Sequence, residues 1–198
     1  MLNKEQFLQR LESGIYHQHP HLCIRENTEW KPYPWQEEAM AGLFCGNKRK
    51  VIALHPAGTG KTTLLAMAAF YFFITRIPSM VIVLAPSIRQ VTGIFFHYLN
   101  PIFMNSFIAD MVLIRKNGIF LKDVSHMHSI TYLSSLRPKE VEGMTGPDEG
   151  KNLLYLVDSV MSVNKDMLEL IESQLCVEEN FLLMVDRRPG DQLFGIKT

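Results

Sequence analysis

The sequence predicts an α/β fold: a mostly parallel sheet with helices on both faces. Three observations carry this. Short apolar runs alternate with helical stretches from residue 51 to 99. A glycine-bearing turn joins the first apolar run to the first long helix. A later apolar run, Leu153-Leu154-Tyr155-Leu156-Val157, ends in an acid, Asp158. Strands that are apolar throughout are covered on both faces, and strands joined by crossover helices lie parallel.

The elements follow in order. Residues 3–13 form an amphipathic helix with Phe7, Leu8 and Leu11 on one side, expected to dock on the core or on a partner. A polar stretch comes next, then a helix over 35–44 that Cys45-Gly46-Asn47 ends. Strands at 51–54 and 80–84 alternate with helices at 61–74 and 87–99. Extended segments are expected at 111–115, 118–121 and 129–133, the first two joined by a turn at Lys116-Asn117-Gly118. A loop rich in Pro, Gly and charge, 136–151, precedes the strand at 153–157. A helix then opens at Asn164 or Lys165 and runs through Cys176, and the last strand is 181–185. This divides the chain into a helical or extended N-terminal extension, 1–29, and one nucleotide-binding domain, 30–198.

With 198 residues, 47% of them hydrophobic, the chain can bury one sizeable core but not two. Its 20 basic and 20 acidic residues balance, so any DNA contact must come from a local patch or a partner. Three widely spaced cysteines, Cys23, Cys45 and Cys176, argue for a reducing compartment. The longest apolar run, Leu64 to Ile74, is too short for a bilayer, and the N-terminus lacks a signal-peptide pattern. A cytoplasmic protein without a membrane partner is expected.

The chemistry concentrates in His55-Pro56-Ala57-Gly58-Thr59-Gly60-Lys61-Thr62. This is the phosphate-binding pattern G-x-x-x-x-G-K-[ST] with His55 at the first glycine position. Gly58 and Gly60 allow a tight turn, so the amides of Ala57, Gly58, Thr59, Gly60, Lys61, Thr62 and Thr63 can face a polyphosphate at a helix N-terminus. Lys61 reaches the terminal phosphates, and the Thr62 hydroxyl sits on Mg2+. ATP with Mg2+ is the expected ligand. Asp158, at the carboxyl end of a central strand beside this loop, either holds a Mg2+ water or caps its turn; the pairing with Lys61 and Thr62 favours the metal. Upstream, the Gln36 amide offers a donor and an acceptor suited to the adenine edge.

Gln36, the P-loop, Leu84-Ala85-Pro86-Ser87-Ile88-Arg89-Gln90, Ser134-Ser135-Leu136-Arg137-Pro138-Lys139-Glu140-Val141-Glu142-Gly143 and Leu156-Val157-Asp158 follow one another in an order that resembles the ATPase half of viral terminase large subunits. The resemblance covers residues 30–190. It implies a RecA-like, additional-strand ATPase fold and ATP-driven packaging of double-stranded DNA. It makes Gln36 the adenine-sensing residue, 55–62 the Walker A loop, Asp158 the Walker B acid and 181–190 the coupling segment. Implied partners are further copies of the chain, a portal, a small terminase subunit and a separate nuclease, in the host cytoplasm.

Departures from the family pattern are specific. Ser159 stands where additional-strand ATPases carry a glutamate that polarises the attacking water, and a hydroxyl accepts that proton poorly at neutral pH. Glu140, Glu142, Asp148 and Glu149 are the acids that can substitute, Glu149 being the one taken as catalytic. The coupling segment reads Val185-Asp186-Arg187-Arg188-Pro189-Gly190, Pro56-Ala57 replaces the usual Walker A arginine, and no nuclease domain is expected. Arg187 and Arg188 either sense a γ-phosphate or form a solvated turn. Two other functions stay open: a hydrolysis-deficient nucleotide-binding regulator or structural subunit, and a helicase-like protein, which would need a second RecA-like lobe. The histidines at 17, 19 and 21 with Cys23, the pair His126 and His128, and Lys48-Arg49-Lys50 read as surface features before they read as zinc or nucleic-acid sites.

Overall fold

The computed structural model describes residues 2–46, 48–123, 128–134, 152–160, 163–176, 180–187 and 195–197. Four helices lead: α1 (Lys4–Glu12), α2 (Ile15–Gln18), α3 (Pro20–Asn27) and α4 (Pro34–Phe44). Then come β1 (Lys50–Leu54), α5 (Lys61–Thr75), β2 (Ser79–Ala85) and α6 (Ile88–Ile94), which passes through a π-helical turn at Phe95–Leu99 into α7 (Asn100–Met104). The hairpin β3 (Val112–Arg115) and β4 (Gly118–Leu121) precedes β5 (Ser129–Ser134) and β6 (Asn152–Asp158). The order closes with α8 (Lys165–Ser173), β7 (Asn180–Asp186) and β8 (Gly195–Lys197).

Among the described residues these strands form one sheet in the order β3-β4-β5-β2-β6-β7-β1-β8. From β5 to β1 every neighbour is parallel. The β3–β4 hairpin closes one edge and β8 the other, both antiparallel. Alternate strand residues point to opposite faces. Val81, Val83, Leu154, Leu156, Leu183 and Val185 pack with α5 on one side, whereas Ile82, Leu84, Tyr155, Val157, Leu182 and Met184 meet Met167 and Ile171 of α8 on the other. Helices cover both faces, as expected.

Helix α5 explains its own composition. Every residue from Leu64 to Thr75 is buried, because the helix lies between the sheet and the N-terminal helices. The Tyr71 hydroxyl donates to the Tyr16 carbonyl at 3.1 Å, and the rings of Phe7 and Phe107 lie 4.6 Å apart. The amphipathic first helix therefore docks on the core. Among the described residues, no helix is long and apolar enough to cross a membrane.

Two local expectations are corrected. The polar stretch before α4 contains α2 and α3: Gln18, His19 and Arg25 face outward while Tyr16, Cys23 and Ile24 are fully buried. Its spacing conceals one apolar face, and His19 separates the two short helices. Among the described residues no group of three or more His, Cys, Asp and Glu side chains could hold a metal ion. The helix expected over 87–99 instead ends at Ile94 and continues as the π-turn into α7, whose Pro101 has no N–H for a regular helical bond.

Candidate nucleotide site

β1 runs into the loop His55–Gly60, and α5 begins at Lys61. Gly58 and Gly60 have φ of 76° and 87°, in the left-handed region that side chains disfavour. Gly60 is constrained twice, since an added Cβ would meet Gln36 Nε2 at 2.9 Å. Lys61 Nζ donates to the carbonyls of His55, at 2.8 Å, and Pro56, across the mouth of the loop. The Thr59 hydroxyl donates to the Pro56 carbonyl at 2.9 Å and closes the turn.

The first turn of α4 braces this loop in two places. Tyr33 N–H donates to Gln36 Oε1 and Gln36 Nε2 donates to the Gly60 carbonyl, each at 2.8 Å, with Gln36 only 1% exposed. Beside it, the Trp35 ring stacks on His55, centroids 3.9 Å apart and planes inclined by 24°. His55 thus replaces the small first residue of the phosphate-loop pattern with a buried stacking partner.

A cavity of about 940 Å3 opens over the loop, within the range of small-molecule sites. Ala57, Gly58, Gly60, Lys61, Thr62 and Thr63 form its floor, joined by Gln36, Asp158, Ser159 and Arg187. Trp30, Tyr33, His97 and Tyr98 form an aromatic wall, the Trp30 and Tyr98 rings meeting edge to face. Of the loop residues expected to bind phosphate, Thr59 alone does not line it.

Arg187, Asp158 and Asp186 all act on Lys61. Burial lowers the Lys61 ammonium pKa and Arg187 lowers it further, while Asp158 and Asp186 pull it back up. Burial raises the Asp158 carboxyl; Lys61 opposes that shift, Asp186 adds to it, and a hydrogen bond from the Ser159 side chain lowers it. The Thr62 hydroxyl and the Asp158 carboxylate are hard oxygen donors on one cavity. That pair suits Mg2+, which takes one or two protein oxygens together with phosphate oxygens and water.

The architecture around this pocket is decisive. β7 lies between β1, which carries the loop, and β6, which carries Asp158. Asp158 therefore sits on a central strand but one strand away from the loop, and the two meet only across the cavity. Neither a protein-family model nor a curated protein matches the sequence. Solved structures match its fold: one is the large terminase ATPase domain of Thermus phage P74-26, with TM-score 0.61 and 15% identity over 88% of this chain and 72% of that one. The chain has a terminase-like ATPase fold.

The large terminase of a second thermophilic bacteriophage, in complex with ADP, shares this terminase-like fold with TM-score 0.54 and 10% identity over 78% of this chain and 39% of that one. Saccharomyces cerevisiae Dbp5, bound to Nup159, Gle1, IP6 and ADP, is also similar to this chain, with TM-score 0.55 and 17% identity over 92% of this chain and 47% of that one. Within this terminase-like frame, Glu140, Glu142, Asp148, Glu149 and Arg188 lie outside the described residues. Lys50 pairs with Glu172, which accounts for one member of the basic triplet as a surface ion pair. His128 is fully buried, with Nδ1 accepting from the Ser79 N–H at 3.0 Å, so it is a core residue; His126 lies outside the described residues.

Trp30 and Tyr98 in the cavity wall, and Asp186 near Lys61, are among the residues that sequence reasoning does not assign to this site. The aromatic wall of Trp30 and Tyr98 is assembled from distant segments and leaves no local trace. Asp186 does leave one: Leu182–Asp186 is an apolar strand ending in an acid, the signature that selects Asp158.

Proposed function

We propose that this chain binds and hydrolyses ATP as the motor domain of a terminase-like assembly that moves double-stranded DNA into a viral capsid. The observation that carries the proposal is the convergence of Lys61 and Asp158 on one cavity from strands separated by β7. Additional-strand ATPases need this arrangement to hold triphosphate and metal together. The ADP named with the second phage terminase and with Dbp5 supports a nucleotide at this position.

In this reading the loop amides and Lys61 hold the phosphates, Thr62 and Asp158 hold Mg2+, and the base enters beside Gln36 and the aromatic wall. The Gln36 amide keeps one further donor hydrogen and one acceptor lone pair for adenine beyond its bonds to Gly60 and Tyr33. Arg187 faces the γ-phosphate. Further copies of the chain, a portal, a small terminase subunit and a separate nuclease complete the machine in the host cytoplasm.

Ser159 favours a second reading, a nucleotide-binding regulator or structural subunit that holds ATP without turning it over. ATP turnover by the full chain with Mg2+, measured with and without double-stranded DNA, separates the two. DNA-stimulated turnover supports the motor; tight binding with no turnover in either condition supports the regulator. The likeness to Dbp5 keeps a helicase-like role in view, and strand separation by this protein would favour it over both.

A further inference from the structure

Hydrolysis in this cavity needs a carboxylate to take the proton of the attacking water, and Ser159 does not supply one. Glu29 also lines the cavity, next to Trp30 and Lys31 in sequence, and is not among the acids that act on Lys61. Among the described residues, the acids that act on Lys61 are Asp158 and Asp186. Asp158 is the acid suited to the metal, and its carboxylate already accepts from the Ser159 side chain.

Asp186 ends β7, the strand inserted between the P-loop strand and the Asp158 strand. In register it lies opposite Leu54, the last residue before the loop, while Val185 lies opposite Asp158. The backbone fastens it on both sides. His55 N–H donates to the Asp186 carbonyl at 3.2 Å, and Ser159 N–H donates to the Val185 carbonyl at 2.9 Å. Residue 186 is therefore the spatial neighbour of position 159, one strand over. Asp186 is 9% exposed, and its Oδ1 accepts the N–H of Arg187 at 2.6 Å, which holds the carboxylate at the strand end next to a residue that lines the cavity.

We propose that Asp186 supplies the carboxylate that position 159 lacks and serves as the general base for ATP hydrolysis. This rests on the ATPase reading above. The water oxygen bonds to the γ-phosphorus as the bond from that phosphorus to the β–γ bridging oxygen breaks. The water proton passes to Asp186, and the bridging electron pair leaves with ADP.

The test compares the full-length wild type, Asp186→Asn, Ser159→Glu and the double variant, measuring single-turnover ATP hydrolysis and ATP affinity with Mg2+. Asparagine keeps an oxygen for the Arg187 N–H, so the turn is preserved. Asp186→Asn is expected to slow hydrolysis by about 10²–10⁴-fold while ATP affinity changes by less than about threefold. Adding Ser159→Glu is expected to restore most of the lost rate, a rescue that a merely structural Asp186 would not show. Hydrolysis by Asp186→Asn within about threefold of wild type, or a loss that Ser159→Glu does not rescue, overturns the proposal. Wild-type protein that binds ATP without hydrolysing it also overturns it but leaves nucleotide binding intact, whereas wild-type protein that fails to bind ATP overturns the ATPase reading itself.

Discussion

At Gly60 a φ of 87° and the 2.9 Å approach of Gln36 fall on a single Cα. An alanine there takes on left-handed strain of roughly 1–2 kcal/mol and also displaces the amide that braces the loop. Gly60→Ala is therefore expected to weaken ATP binding by about tenfold or more, read by titration with a fluorescent ATP analogue. His128 makes a different kind of prediction. Burial lowers its pKa from 6.5 to about 4, and Nδ1, which accepts the Ser79 N–H, cannot take a proton without losing that bond. Between those two values the unfolded chain binds the proton and the folded chain does not. Stability from this group is thus full above pH 6.5 and falls as the pH drops toward 4, by up to about 3 kcal/mol. Thermal melts across that window should show a slope that His128→Gln flattens; an unchanged slope in the variant would assign it to other groups.

Helix α5 carries the central packing of the molecule. Phe70 and Phe73 both meet the Phe103 ring edge to face, at centroid distances of 5.2 and 5.1 Å, while Tyr71 ties the helix to α2. Truncating Phe70 to alanine is expected to cost about 3–5 kcal/mol, measured as a lower denaturant midpoint with an unchanged slope. Elements of this kind were legible in the sequence because burial on all sides leaves an uncharged run, as at Leu64–Ile74, and because a covered strand reads as Leu153–Val157 does. Helices α2 and α3 were not legible. Each is short, and its buried residues, Tyr16 in one and Cys23 and Ile24 in the other, are separated by a break at His19 that interrupts the helical period.

Across the whole molecule, the phosphate loop and Asp158 could be found from local pattern, since each is a strand followed by a chemically loaded turn. Their mutual arrangement could not. Strand order decides which strand ends meet, and inserting β7 between β1 and β6 makes Asp186, rather than a residue next to Asp158 in sequence, the second acid acting on Lys61 among the described residues. The same non-local assembly places Trp30 and Tyr98 in one wall and braces the loop with Trp35 and Gln36 from a helix that precedes it. The central claim is that this cavity binds ATP through the P-loop lysine. Equilibrium ATP titration with Mg2+ of the wild-type chain and of Lys61→Ala tests it most directly. Saturable binding by the wild type that Lys61→Ala abolishes is the predicted result; equal affinity in the two proteins, or no binding by the wild type, would contradict it.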